Sequence, residues 1–197
     1  MSQIYELLAN LLEYPDEFWG LKLDMCQHRI GRECLELARP FSEFYRNVEG
    51  RSVVEMQELY TSTFDLNPVC ALEAGYHLFG EDYRRGIFLA NLREAEAPYE
   101  LGQARQLPDY LPVLLRLLVK LEEGELRSDL ISECLIPAIE KMTESLDKAQ
   151  SAYRDLVATI DAALKREAPE RAARASTANL RRSVELPVLE MKGGCHA

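Results

Sequence analysis

The chain has little of what a disulfide-built, metal-built or sheet-built protein needs. Its cysteines are Cys26, Cys34, Cys70, Cys134 and Cys195, an odd number, widely spaced and with no Cys-x-x-Cys pair. That argues against a disulfide framework and against a zinc site. Histidine is limited to His28, His77 and His196, no two of them at ligand spacing on one helix. Cys195-His196 comes nearest to a metal pair and reads as an exposed chain end, so no metal is expected. With 10 Gly and 9 Pro in 197 residues, turns are few and elements long. Val, Ile and Thr are sparse, which disfavours an extensive sheet. No apolar run reaches the roughly 18 residues that would span a bilayer. The opening "MSQIYELLANLLEYPDEFW" has no basic region ahead of its apolar run and is interrupted by acids, unlike a signal peptide. The expectation is a cytoplasmic chain with no stable membrane insertion. Phosphate-loop, dinucleotide and nucleophile-elbow motifs are missing as well.

What is present is helix-forming. Leu, Glu, Ala and Arg dominate, and 47% of the residues are hydrophobic, enough for one sizeable core. Ile4, Leu7, Leu8, Leu11 and Leu12 follow the i, i+3, i+4, i+7 template, with Ser2 placed to cap that helix. Pro40 should end, kink or restart a third helix. Ser52 and Glu55 have the spacing of a capping box. "DLNPVC" interrupts the pattern. A short helix "ALEAGYHLF" stops at Gly80, where a left-handed helix end favours glycine. Leu111, Leu114, Leu115, Leu118 and Leu121 make one stripe, with Pro112 in the first turn and Gly124 at the end. Two or three further helices reach Lys165, with a junction at Pro137. The expected architecture is all-α: a single compact domain of roughly eight to ten helices over residues 1–167, then a mobile basic, Ala-rich tail over residues 168–197.

Charge is unevenly placed. The net charge is −10, made of −13 over residues 1–164 and +3 over residues 165–197. An acidic body repels nucleic acid and attracts basic partners, so no nucleic-acid partner is expected.

Two clusters carry surplus chemistry. In "YHLFGEDYRRG", residues 76–86, Leu72, Tyr76 and Phe79 fall on one helix face, Glu73 and His77 can pair, and Arg85 lies four after Glu81. Glu81 and Asp82 stand at the start of the next helix, where acids suit the dipole. Gly86 inside that helix suggests that another backbone or a ligand passes close by. In "LPDYLP", residues 107–112, Asp109 can cap a helix and Tyr110 offers a ring with a polar tip.

These stretches resemble the redox-enzyme maturation proteins of the nitrate-reductase delta-subunit (NarJ) type, relatives of the TorD/DmsD-like chaperones. The family pattern Tyr-x-x-x-Phe-Asp is matched by Tyr60, Phe64 and Asp65. A second, His-Leu-x-Gly-Asp-x-Arg-x-Arg-Gly, is matched by His77, Leu78, Gly80, Arg85 and Gly86. A third is matched from Leu107 to Pro112. Glu81 and Tyr83 depart from the pattern, and client choice is expected there. The resemblance implies a non-catalytic all-helical chaperone without a cofactor of its own, a monomer or weak dimer. Its partner would be the apo catalytic subunit of a molybdenum-cofactor oxidoreductase, nitrate reductase or a relative, bound through its N-terminal peptide. The chaperone would keep that subunit competent for molybdenum-cofactor insertion before docking or export. An amphipathic peptide in an apolar groove fits this role. Phe64, Tyr76, Tyr110 and Leu114 would help line the groove, and His77, Glu81, Asp82, Arg85 and Asp109 would form its polar rim. The alternatives are a helical hydrolase using His77 with Asp82 or Asp109, and a non-catalytic regulatory or scaffold domain.

Overall fold

The computed structural model describes residues 2–99, 101 and 106–168. The tail expected over residues 168–197 lies outside them, except for Ala168. Among the described residues there are ten α-helices and no strand.

The first helix, α1 (Ser2–Leu11), buries Ile4, Leu8 and Leu11 as its periodicity requires. Next, α2 (Trp19–Glu33) and α3 (Leu35–Val48) are separated only by Cys34. The restart comes there and not at Pro40, which α3 carries in its interior. In α4 (Val53–Tyr60), Ser52 accepts from the Glu55 N–H while the Glu55 carboxylate accepts from the Ser52 N–H, the capping box read from the sequence. A wide π turn (Thr61–Asp65) and a 3-10 turn (Pro68–Cys70) follow.

Then come α5 (Ala74–Phe79), α6 (Arg84–Glu96) and α7 (Leu111–Lys120). The sequence shows one stripe on α7, but Pro112, Val113 and Leu117 are buried too. A helix buried nearly all round is central, and α1 packs directly on this one. Arg116 fixes the pair from its rim, donating to Glu6 at 3.0 Å, Glu13 at 2.7 Å and Asn10 at 2.7 Å. Helix α7 stops at Lys120, short of Gly124, which instead precedes α8 (Glu125–Asp129).

A second wide turn (Leu130–Leu135) joins α8 to α9 (Ile136–Lys148). Pro137 stands two residues past this turn, in the first turn of α9. It has no N–H to donate, and its ring crowds the carbonyl four residues back, which widens the preceding turn. Helix α9 ends in a Schellman closure: Ser151 N–H reaches the Leu146 carbonyl, Gln150 N–H reaches that of Asp147, and Gln150 takes φ +51°. The last helix, α10 (Tyr153–Glu167), packs on α3 and α9.

The core holds an aromatic cluster centred on Tyr153, with Phe64 at 4.8 Å, Phe44 at 5.8 Å and Tyr60 at 6.0 Å between ring centroids. Opposite it, Tyr5 of α1 donates to the Glu167 carboxylate at 2.9 Å, tying the first helix to the last.

Candidate functional site

The two clusters singled out in the sequence meet in space. Ala74 N–H donates to the Asp109 carbonyl and Leu111 N–H to that of Leu72, both at 2.8 Å, so Glu73 and Tyr110 form an antiparallel bridge. This clasp sets the entry to α5 against the entry to α7. Inside it, Asp109 is fully buried. Its Oδ2 accepts from Arg85 Nε at 3.2 Å and Nη2 at 3.1 Å. Arg85 therefore pairs across the clasp and not with Glu81. Burial pushes the Asp109 carboxyl above its usual range, and Arg85 works against that push.

The close approach expected at Gly86 occurs at Gly75. A Cβ at Gly75 would stand 2.6 Å from Asp109 Oδ2, whereas one at Gly86 would meet open space. Gly80, in the left-handed region at φ +61°, ends α5 as expected. Asp82 accepts from the Arg84 N–H at 2.9 Å and from its guanidinium at 3.2 Å, contacts that hold its carboxyl below the usual range. Glu81 is exposed.

His77 does not pair with Glu73. Its Nε2 lies 2.7 Å from the Ala71 carbonyl, which can only accept, so Nε2 carries the hydrogen. Burial lowers its basicity, with the Ala71 contact opposing. Asp82 and Asp109, the acids considered as hydrolase partners for His77, are engaged by Arg84 and Arg85. Tyr110 donates to the Leu12 carbonyl at 3.2 Å and accepts from the Tyr60 hydroxyl at 3.0 Å. Burial pushes its own hydroxyl up to about 12. Tyr76 is half-buried, its ring edge-on to His77.

Leu114 is fully buried in α7, and Phe64 is 7% exposed within the aromatic cluster, so both belong to the core. A narrow apolar cleft with about 50 Å³ of room lies between α5, α6, the end of α7, α8 and the turn that follows α8. Leu78 and Phe79 form one wall, Phe88, Leu92 and Ala95 the second, and Leu117 and Leu121 the floor. Leu126, Leu130 and Cys134 close it, and Asp129 and Glu133 supply acid. None of the nine expected site residues lines it. Along the chain some of them adjoin it through α5: His77 directly precedes the wall residue Leu78, and Glu81 and Asp82 follow Phe79 after Gly80. The i, i+4, i+7 spacing of Phe88, Leu92 and Ala95 was a usable signal, but periodicity alone does not separate a cleft wall from core. Among the described residues no group of three or more His, Cys, Asp or Glu is placed to hold a metal, and no helix is long and apolar enough to cross a membrane.

Fold and site together define an all-helical protein with a clasped helix corner beside a narrow apolar cleft. No family model matches the chain. It is 29% identical over 164 residues to the probable nitrate reductase molybdenum cofactor assembly chaperone NarJ of Bacillus subtilis, covering 81% of this chain and 87% of that one. It is 26% identical over 151 residues to the Escherichia coli K12 chaperone NarJ, covering 75% and 63%. It is 30% identical over 142 residues to the probable chaperone NarW of the same organism, covering 70% and 58%. The chain thus spans about three fifths of the length of the E. coli relatives. Its homologues are nitrate reductase molybdenum cofactor assembly chaperones, and none of these three is named as an enzyme.

Proposed function

We propose that this chain is a cytoplasmic assembly chaperone for a nitrate reductase or a related molybdoenzyme. It holds the N-terminal segment of the apo catalytic subunit and keeps that subunit competent for molybdenum-cofactor insertion before membrane docking or export. The observation that carries this reading is the narrow apolar cleft, with Leu126 exposed at its mouth and acids in its lining. Such a cleft suits the apolar face of an amphipathic, basic segment, and the names of the relatives agree. Tyr76 and His77 on α5 and Glu81 and Asp82 just after it adjoin the cleft-wall residues Leu78 and Phe79 in sequence, and in this reading they meet the client outside the cleft itself. Arg85, Asp109 and Tyr110 position α5 and α7 from inside the clasp. The chain needs no cofactor of its own for this work, which is binding and release.

Calorimetry with the N-terminal peptide of the catalytic subunit tests the reading. Leu126 is 46% exposed at the cleft, so Leu126→Asp is expected to leave the melting temperature within about 2 °C of wild type, as a surface substitution does. Peptide affinity is expected to fall by about tenfold or more, since a charge replaces buried apolar contact. Unchanged affinity in that variant refutes the placement.

A further inference from the structure

The cleft lies beside the point where the described chain ends. Glu167, the last residue of α10, contacts the Arg127 guanidinium. Arg127 also donates to the Leu118 and Leu121 carbonyls, the latter at 3.0 Å. Leu121 and Leu126, the neighbour of Arg127 on α8, both line the cleft. After Ala168 the chain continues for 29 residues. Apart from Leu180, the large apolar residues among them fall in one stretch, "RRSVELPVLEM", residues 181–191.

Three properties of that stretch match the cleft. Val184, Leu186 and Val188 alternate with Glu185 and Pro187, so an extended strand turns all three to one side. Pro187 disfavours the helical region at Leu186 and supports the extended form. Arg181 and Arg182 precede the apolar run, and the cleft carries Asp129 and Glu133 with Glu122, Glu123 and Glu125 close by in sequence. Reach is ample: a flexible span of sixteen residues from Ala168 to Val184 covers roughly 22 Å root-mean-square, and the cleft is one side chain away from Glu167.

We propose that residues 184–191 of this chain occupy the apolar cleft when no client is bound, with Val184, Leu186 and Val188 facing Leu78, Leu126 and Leu130, and Arg181 and Arg182 at the acidic edge. The proposal needs the cleft but not the client. If the client uses the same cleft, the segment is a placeholder that it must displace.

Cys195 lies four residues past this segment, and the other four thiols are buried, so a thiol-specific nitroxide can be carried at Cys195 of the full-length protein. Methyl NMR is then read at Leu78, Leu126 and Leu130. Selective broadening of these methyls, removed in the double variant Leu186→Asp/Val188→Asp, is the expected result. Absent broadening, or broadening that the double variant leaves intact, overturns the proposal. Broadening seen only when the nitroxide sits on a second, isotopically silent copy also overturns it and assigns the cleft to contact between copies. A client peptide that binds without relieving the broadening removes the client from the cleft and leaves this proposal standing.

Discussion

At the scale of the residue, the clasp turns on a glycine and an acid. Gly75 leaves the space that Asp109 Oδ2 fills, and Gly75→Ala is expected to cost about 1–3 kcal/mol in urea denaturation. No measurable loss would mean that the carboxylate can move aside. The sequence placed Asp109 at a helix entry and Arg85 beside Glu81; it could not show that Asp109 and Arg85 meet, because that pair joins elements 24 residues apart. The buried Glu96 gives a pH signature. Burial pushes its carboxyl up from 4.5 to about 7, with Arg93 opposing and Asp109 adding. The native state therefore holds this proton more tightly than the unfolded chain. The resulting stability is full below about pH 4.5 and is lost as pH rises through about 7. Glu96→Gln is expected to flatten that part of the stability profile, and parallel profiles in wild type and variant would contradict the assignment.

At the scale of the element, termini carry most of the local logic. The Ser52–Glu55 capping box was legible because it is purely local, and Ser52→Ala is expected to cost about 1 kcal/mol. The close of α9 was not legible, because a glutamine sits where glycine is usual. With Gln150 at φ +51°, Gln150→Gly should relieve a left-handed strain of about 1 kcal/mol. A fall in stability in that variant would show that the glutamine side chain contributes more than the strain costs. Helix α7 shows how context overrides pattern. Its sequence reads as one stripe, yet Pro112, Val113 and Leu117 off that stripe are buried too, with α1 packed directly on it.

At the scale of the whole molecule, the acidic balance over residues 1–164 sets long-range behaviour. Association with a basic client segment should slow as salt rises, since screening shortens electrostatic steering to a few ångströms near 1 M. Stopped-flow rates independent of ionic strength would leave the apolar contact alone in charge. The sequence by itself determined the helical class, the capped start of α4, the family resemblance and the coming corner at Gly80. These rest on period, caps and turn residues, which act within a few residues. Only the tertiary structure decided that Phe64 and Leu114 belong to the core, that Asp109 faces Arg85, that Gly75 rather than Gly86 is the tight glycine, and where the apolar cleft opens. Apolar spacing states that a face must be covered, but whether another helix covers it or solvent reaches it depends on how distant elements pack.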